Sequence, residues 1–272
     1  MKILNGSELA GFIKERQAKQ VRALRQAHDV FPKLAIVQCK DDPVIDTYVR
    51  LKKSYGSDIL IEVDVYRISQ DKADETISVL NNDPSVHGII VQLPLADTSE
   101  TDRVVSLVEP EKDVDALGPD ATFEPATPMA IMWLLAGYNI DLAGKKVLLI
   151  GRGKLVGAPL EKILQANDID VAVADRSTKE LDVLSNSADV IITATGSPAI
   201  LYSNMVKERA VVVDAGIASE AGKTVGDVAL ELYERDDITI TPSKGGVGPL
   251  TVCALFENVI GAAQASIRQE EM

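Results

Sequence analysis

The stretch KVLLIGRGKLVGAPLEKILQA, residues 146–166, contains the pattern that decides the fold. An apolar run ends at Ile150, a glycine-rich turn follows, and a helical pattern begins near residue 155. A strand, a glycine-rich turn and a helix in this order are typical of the first βα unit of a dinucleotide-binding sheet. The spacing G-x-G-x-x-x-G is one residue longer than the usual fingerprint, so a purely structural glycine turn is the alternative interpretation.

The three glycines of this turn have separate predicted roles. Gly151 permits the tight turn, Gly153 lets the backbone approach a pyrophosphate, and Gly157 lets the helix pack closely on the sheet. A helix that begins here directs backbone N–H groups and the positive end of its dipole at a phosphate. The turn would therefore give an acidic chain a local positive site for an anion.

Apolar runs on both sides of this unit extend the pattern along the chain. Strands are predicted at 34–39, 59–66, 86–93, 146–150, 170–174, 190–194, 210–214 and 238–241. Helices are predicted at 8–27, 44–55, 72–82, 99–107, 128–137, 155–166, 179–187 and 249–268. Alternating strands and helices indicate an α/β fold with parallel sheets. The proline-rich stretch GPDATFEPATP, residues 118–128, is the expected domain boundary.

Charge and cysteine content exclude several classes of protein. The chain has 272 residues, with 41 acidic and 28 basic side chains and a net charge of -13. Such a chain repels phosphate backbones, so we expect no nucleic-acid partner. Cys39 and Cys253 offer no metal or redox spacing; we expect buried, reduced thiols, no metal and a cytoplasmic location. No stretch approaches the roughly 20 apolar residues of a membrane span, so no membrane partner is expected.

Two kinds of side chain compete to select the cofactor. Asp175 ends the second strand of the glycine-turn half, where a carboxylate accepts hydrogen bonds from the ribose 2′-hydroxyl of NAD. Arg152 and Arg176 lie close by, and either could neutralise the 2′-phosphate of NADP. Arg176 is as readily explained as a solvated surface charge. The residues alone leave NAD and NADP both open.

Polar side chains in the first half of the chain are candidates for chemistry. Tyr48 and Lys52 are four residues apart, so on a helix they share a face. The ring could stack on a flat ligand while the amine handles protons, although a surface Tyr–Lys pair is the alternative. Gln92 ends a predicted buried strand and could hydrogen-bond Lys52, or be a satisfied strand-end amide.

Two further motifs suggest close contact with a ligand. In PEKDVD, residues 110–115, Asp115 could hold two N–H groups of a heterocycle, whereas Asp113 could as easily cap a turn. The segment GGVGPLT, residues 245–251, is a flexible turn before the last predicted helix. Its glycines indicate close backbone approach to something flat or charged.

Together these motifs resemble the bifunctional methylenetetrahydrofolate dehydrogenase/methenyltetrahydrofolate cyclohydrolase family. The matching segments are D-D-P with Y-V-R-L-K, then V-Q-L-P-L, P-E-K-D-V-D, T-P, G-R-x-x-x-V-G-x-P, A-T-G, D-x-G-I, G-D-V and G-G-V-G-P-L-T. They span residues 40–260 in the same order. The resemblance implies a catalytic, folate-binding domain at 1–120, a Rossmann-like NADP-binding domain at 121–249, and a terminal helix at 250–272 that returns to the first domain. It also implies a homodimer of one-carbon metabolism that serves purine biosynthesis.

The resemblance also implies the reaction and the roles of individual residues. The enzyme would oxidise 5,10-methylenetetrahydrofolate to the methenyl cation with NADP, and then hydrolyse it to 10-formyltetrahydrofolate. Tyr48 would stack on the folate ring, Lys52 would handle the protons of the hydrolysis with help from Gln92, and Asp115 would grip the pterin edge. Implied cofactor contacts are Gly151, Arg152, Gly153, Val156, Gly157, Asp175, Arg176, Thr195, Gly196 and Ile217. Implied substrate contacts are Tyr48, Gln92, Leu93, Asp115, Gly245, Gly246 and Pro249.

Several positions depart from the family pattern. The family usually has serine at Gly153, Cys-His-Ser at residues 174–176, glycine at Ala116 and Val-Pro at residues 243–244, and its segment after Asp115 is longer. The second of these changes keeps NAD possible as the cofactor. A dehydrogenase of small hydroxy acids, a monofunctional member and a non-catalytic cofactor-binding relative are the competing interpretations.

Overall fold

A computed structural model gives the structure of the chain for residues 2–216, 218–220 and 223–270. These residues form two compact units. One unit contains residues 2–10 and 127–251 and is called the six-stranded unit; the other contains residues 11–126 and 252–270 and is called the three-stranded unit.

The elements alternate as the sequence predicts. The strands are β1 (Lys2–Ile3), β2 (Lys33–Gln38), β3 (Glu62–Arg67), β4 (Gly88–Gln92), β5 (Val147–Ile150), β6 (Val171–Ala174), β7 (Val190–Thr193), β8 (Val211–Asp214), β9 (Ala218–Glu220), β10 (Lys223–Val225) and β11 (Thr239–Ile240). The helices are α1 (Gly6–His28), α2 (Pro43–Asp58), α3 (Ala73–Asn82), α4 (Thr101–Val105), α5 (Ala126–Gly137), α6 (Gly157–Ala166), α7 (Leu181–Ser187) and α8 (Val247–Glu270). Short 3₁₀ turns lie at Gln70–Lys72, Thr98–Glu100, Ser203–Met205 and Leu230–Glu234. The predicted α/β class is confirmed.

The six-stranded unit is built on a parallel sheet in the order β1-β11-β8-β7-β5-β6. Strands β5 and β7 are buried along their whole length, as expected for continuous apolar runs covered on both faces. Ile150 at the end of β5 is paired with Ala174 on one side and Thr193 on the other. The chain goes from β5 to β6 on one side and then to β7 on the other, so the glycine turn leaves the sheet where the strand order reverses, which is where doubly wound folds bind their ligands.

The first residues of the chain lie in this unit, although the sequence placed them in the other. Strand β1 pairs in parallel with β11, with Lys2 opposite Thr239 and Ile3 opposite Ile240. A two-residue strand is too short to show a periodic pattern, so nothing in the sequence indicated it. The antiparallel hairpin of β9 and β10 was likewise not predicted.

The three-stranded unit contains a parallel sheet in the order β3-β2-β4. Helix α8 packs in this unit after residue 251. The Nδ2 of Asn258 donates hydrogen bonds to the carbonyls of Val114 and Glu124, each at 2.9 Å. Arg16 of α1 pairs with Glu257 at 2.7 Å. The predicted return of the terminal helix to the first domain is confirmed.

Helix α8 is also the most apolar long element in the described part of the chain. Its segment Val247–Ile267 is long and apolar enough to cross a membrane, which differs from the sequence expectation that no such run exists. More than half of that segment, 56%, is buried inside the protein. It is therefore a core helix. Cys253 on this helix and Cys39 are both buried and form no disulfide among the described residues, which agrees with the prediction of buried, reduced thiols.

Candidate functional site

Helix α2 positions the first candidate side chains. The Asp42 carboxylate caps the helix by accepting backbone N–H groups of its first turn, the shorter at 2.8 Å. Ile45 and Val49 are buried and fix the face that packs on the unit. Tyr48 and Lys52 lie one turn apart on another face, and Tyr48 stays 37% exposed. The ring is thus available to a ligand.

Lys52 and Gln92 are in direct contact. The Lys52 Nζ donates a hydrogen bond of 2.7 Å to Gln92 Oε1. Gln92, at the end of β4, is 9% exposed, and its Nε2 donates to the carbonyl of Leu93 at 3.0 Å. The amide oxygen is therefore turned toward the lysine. The structure favours the interpretation in which this pair is held at the carboxyl end of a buried strand.

Burial and a nearby carboxylate act in opposite directions on the pKa of Lys52. Burial lowers the pKa of Lys52, and the nearby Asp115 carboxylate acts in the opposite direction. Burial raises the pKa of Asp115, and the lysine charge opposes that shift. An amine in such surroundings releases and regains a proton more readily than an exposed lysine, which is the requirement for acid–base chemistry.

Asp113 has a structural role. It is 3% exposed, and its Oδ2 accepts the backbone N–H of Gly118 at 2.7 Å. Burial raises the pKa of Asp113, whereas the backbone hydrogen bonds it accepts lower that pKa. Of the two carboxylates in PEKDVD, Asp113 caps the following turn, and contact of Asp115 with a ligand stays a prediction.

The turn after Asp115 holds an alanine in an unfavourable conformation. Ala116 has φ +54°, in the left-handed region that glycine enters without a steric penalty. We expect Ala116→Gly to raise the free energy of unfolding by about 1 kcal/mol, because it removes the clash of Cβ with the backbone. Chemical denaturation measures the change. Ala265→Gly, at an exposed position of α8, is the control and should lower stability. A loss of stability in Ala116→Gly would contradict the assignment.

The glycine turn of the six-stranded unit is a close-packed cradle. Gly151 has φ +104°, and a Cβ there would lie 2.6 Å from the carbonyl oxygen of Ala194. A Cβ on Gly157 would lie 2.0 Å from the carbonyl oxygen of Gly151, so both positions require glycine. A Cβ on Gly153 would meet nothing within 4 Å, which leaves open space beside the turn. Val156 at the N-cap of α6 has an apolar side chain and makes no side-chain cap. The N–H of Ala158 donates to the Gly153 carbonyl at 3.0 Å and Pro159 has no N–H, so the N–H of Gly157 is the first-turn group that an anion could use.

Two of the three side chains predicted to select the cofactor have partners in the structure. Arg152 is 61% exposed and pairs with Glu161, with 2.6 Å between its Nε and Oε2. Asp175 follows β6, and its Oδ1 accepts the backbone N–H and the hydroxyl of Ser177, at 2.8 and 2.6 Å. Arg176 is exposed. The sequence reading missed Glu161, although its position on the first turns of α6 could have indicated a partner for Arg152.

The loops after β7 and β8 contain the remaining candidates of this sheet edge. Thr195 and Gly196 follow β7, and Gly196 has φ +64°. The backbone N–H of Thr195 donates to the Asp227 carboxylate at 2.6 Å. Ile217, predicted to contact the cofactor, lies outside the described residues. Asp227 was missed as an individual residue, although its motif G-D-V was noted.

The turn before α8 packs against the start of the chain. Gly245 has φ +83°, and its carbonyl accepts the backbone N–H of Ser7 at 2.9 Å. A Cβ on Gly6 would lie 1.8 Å from the carbonyl oxygen of Gly246. The close approach predicted for this turn is thus made by the chain's own backbone. Pro249 lies in the first turn of α8. Contact of Gly245, Gly246 and Pro249 with the substrate stays a prediction.

Comparison with known proteins agrees with this arrangement over nearly the whole chain. Residues 4–115 match the tetrahydrofolate dehydrogenase/cyclohydrolase catalytic domain, and residues 125–267 match the NAD(P)-binding domain of the same family. The bifunctional protein FolD of Nitratiruptor sp. is 38% identical, covering 97% of this chain and 98% of its own.

Two solved structures have a similar fold. The bifunctional FolD methylenetetrahydrofolate dehydrogenase/cyclohydrolase of Campylobacter jejuni is 37% identical, covers 97% of this chain and 99% of its own, and has a TM-score of 0.91. The Trypanosoma brucei enzyme, solved with NADP and an inhibitor, is 27% identical, covers 98% of each chain and has a TM-score of 0.91. With both family domains matched in order, the chain belongs to the tetrahydrofolate dehydrogenase/cyclohydrolase family.

Proposed function

We propose that this chain oxidises 5,10-methylenetetrahydrofolate to 5,10-methenyltetrahydrofolate with NADP and then hydrolyses the product to 10-formyltetrahydrofolate. The contact between Lys52 and Gln92, with Asp115 acting on the lysine charge, carries the proposal. A hydroxy-acid dehydrogenase has no need for this arrangement beside an exposed tyrosine. The relatives described as bifunctional FolD proteins support both activities.

Lys52 would manage the protons of the hydrolysis. Water adds to the methenyl cation and loses one proton, which leaves a neutral hydroxyl adduct. One carbon–nitrogen bond then breaks as the hydroxyl loses its proton to form the formyl carbonyl and the departing nitrogen gains one, so the hydrolysis releases one proton overall. Because burial lowers its pKa, Lys52 can accept the proton of the attacking water and return it to the departing nitrogen. Gln92 orients the amine through its 2.7 Å hydrogen bond. The Asp115 carboxylate opposes the lowering of the Lys52 pKa.

The other residues of the three-stranded unit would bind the folate. Tyr48 offers a partly exposed ring for stacking on the flat heterocycle, and Asp115 accepts its N–H groups. Leu93 packs against the unit's core, so its contribution would come from the backbone at the end of β4. We assign the catalytic role to the three-stranded unit and cofactor binding to the six-stranded unit. Gly245, Gly246 and Pro249 are assigned to the substrate as well.

The cradle of the six-stranded unit fits a pyrophosphate. Gly151 and Gly157 hold the turn in a shape that any larger residue would disrupt, there is open space beside Gly153, and the N–H of Gly157 and the positive end of the α6 dipole would favour a phosphate there. Val156, Thr195, Gly196 and Ile217 are assigned to the same ligand. NADP, when bound, accepts the hydride of the methylene carbon, and the protein's part in that step is alignment.

Cofactor choice is expected to depend on the pair of Arg152 and Glu161. Glu161→Gln removes the charge that holds the guanidinium at 2.6 Å, so Arg152 becomes free to meet a 2′-phosphate. We expect kcat/KM for NADP to rise about two- to fivefold relative to NAD, the scale of a surface ion pair. Parallel initial rates with the two cofactors measure this ratio, with Arg176→Ala as the comparison. An unchanged ratio in Glu161→Gln and a lower one in Arg176→Ala would transfer the role to Arg176.

The pH dependence of the hydrolysis should follow the Lys52 amine. Since burial lowers the pKa of Lys52 from its ordinary 10.5, the neutral amine forms at lower pH than for an exposed lysine. The rate, corrected for uncatalysed hydrolysis, should rise with pH and level off below pH 10.5. Asp115 raises the pKa of Lys52, so Asp115→Asn should move the rise to lower pH. A shift to higher pH would contradict the assigned coupling.

The test of the proposed function is an initial-rate assay of the purified chain. Methylenetetrahydrofolate is offered with NADP and with NAD, beside a panel of small hydroxy acids. Reduction of NADP with methylenetetrahydrofolate, and with none of the hydroxy acids, supports the proposal. Activity with NAD alone makes the chain an NAD-dependent member, and cofactor binding without turnover makes it a non-catalytic relative.

The assembly and cellular setting form part of the same proposal. We propose a cytoplasmic homodimer that supplies formyl groups to purine biosynthesis. Buried thiols that form no disulfide among the described residues fit a reducing compartment. Light scattering of the purified protein tests the dimer, for which the mass should be twice that of one chain.

A further inference from the structure

Two aspartates of the six-stranded unit have no role in the reaction described so far. Asp214 ends β8, and its carboxylate accepts four hydrogen bonds. The donors are the Thr193 hydroxyl at 3.1 Å and the backbone N–H groups of Gly216, Asp227 and Val228 at 3.0, 3.1 and 3.2 Å. One carboxylate thus joins the end of β7, the end of β8 and the segment after β10.

Asp227 makes the reciprocal connection. It is fully buried, and its Oδ2 accepts the backbone N–H of Thr195 at 2.6 Å. Its own carbonyl accepts the N–H of Ile200 at 2.7 Å, so it holds both ends of the loop after β7. Its Oδ1 is buried without a hydrogen-bond partner among the described residues. An unpaired buried carboxylate oxygen costs stability, so packing alone does not account for this residue.

Two glycines make the connection possible. A Cβ on Gly216 would lie 2.0 Å from the Asp227 carboxylate, and a Cβ on Gly226 would lie 2.0 Å from the Asp214 carboxylate. Asp227 therefore lies against Gly216, two residues after Asp214, and Asp214 lies against Gly226, the residue before Asp227. We call Asp214, Gly216, Gly226 and Asp227 the carboxylate clasp.

The clasp lies on one side of the glycine turn. In the sheet order, β6 flanks β5 on one side, while β7 and β8 lie on the other. A dinucleotide crosses the carboxyl edge of such a sheet with its adenosine at the β6 side. The loops that the clasp holds, at Thr195 and Gly216, are therefore those that face the nicotinamide half.

We propose that Asp214 and Asp227 are positioning residues that hold the loops after β7 and β8 in the shape that aligns the nicotinamide for hydride transfer. This inference rests on the proposed function. The two aspartates act through the backbone of these loops. Hydrolysis of the methenyl substrate uses Lys52 and no cofactor, so it provides an internal reference that the clasp should not affect.

The experiment compares Asp227→Ala with Asp227→Asn in the full chain. The alanine variant loses the acceptor for the Thr195 N–H, whereas asparagine keeps an acceptor oxygen of the same shape. We expect Asp227→Ala to lower dehydrogenase kcat/KM for NADP about 100-fold, the cost of a misplacement of about 1 Å. Asp227→Asn should restore most of it, and hydrolysis should stay at the wild-type rate in both. Asp170→Ala, at an exposed aspartate of the same unit, is the matched control.

Three results would overturn the inference. They are wild-type kcat/KM in Asp227→Ala, an equal fall of both activities, and no rescue by asparagine. The second result would mean that the clasp only stabilises the fold. Gly216→Ala would place a Cβ 2.0 Å from the Asp227 carboxylate, so it should also lower the dehydrogenase activity and leave the hydrolysis at the wild-type rate. A wild-type chain without dehydrogenase activity would instead refute the proposed function itself.

Discussion

Lys52→Met is expected to lower the rate of methenyl hydrolysis about a thousandfold while much of the NADP-dependent oxidation remains. Loss of a positioned general base costs rates on this scale. The methionine keeps the unbranched apolar stem of the lysine but lacks the amine, so it cannot accept a proton, and it leaves Gln92 Oε1 without its 2.7 Å donor. Oxidation makes no demand on the amine, because the hydride leaves the methylene carbon without a proton transfer. Separate assays of the two steps, each from its own folate substrate, measure the split.

Lys53→Met is the matched control for this variant. Lys53 is the neighbouring residue of α2 and is exposed, so the same substitution changes the same charge outside the site. It should leave both rates near those of the wild type. Equal loss of both activities in Lys52→Met, or the loss of neither, would refute the assignment of Lys52 to proton transfer.

Gly157→Ala is expected to abolish productive NADP binding and leave hydrolysis intact. The added Cβ would lie 2.0 Å from the carbonyl oxygen of Gly151 and 3.0 Å from the Cα of Arg152. Both neighbours are backbone atoms, so the turn and the start of α6 must move apart. We expect kcat/KM for NADP to fall about 100-fold or more, since displacements of about 1 Å have that effect. Titration calorimetry with NADP should show the loss of binding directly.

Gly11→Ala provides the control for adding a methyl group. A Cβ at this position of α1 meets nothing within 4 Å, and alanine favours helix. Both activities should be unchanged. If Gly157→Ala bound NADP as well as the wild type does, the glycine turn would be a structural turn, and the cofactor would bind elsewhere.

The elements of the fold that could be predicted are those with a clear pattern of apolar residues. Buried parallel strands such as β5 and β7 are continuous apolar runs, and α1 and α8 are long enough to show their period. Strand β1 escaped prediction because two residues have no pattern. The hairpin of β9 and β10 escaped because it pairs outside the main sheet.

The candidate site was predictable where residues share one element and unpredictable where the partner is distant in sequence. Tyr48 and Lys52 lie on one helix, so their common face followed from spacing. The contact between Lys52 and Gln92 spans 40 residues, and spacing alone left it open. The roles of Asp113 and Asp227 depend on backbone N–H groups brought near by loops, which no sequence pattern reports.

The most direct test of the central claim is a complete turnover of 5,10-methylenetetrahydrofolate with excess NADP by the purified chain. Two products are measured at completion: NADPH by absorbance, and 10-formyltetrahydrofolate by chromatography at neutral pH. The account predicts equal amounts of both, and in Lys52→Met the accumulation of the methenyl compound in place of the formyl product. A wild-type reaction that yields no NADPH, or one that stops at the methenyl compound, would contradict it.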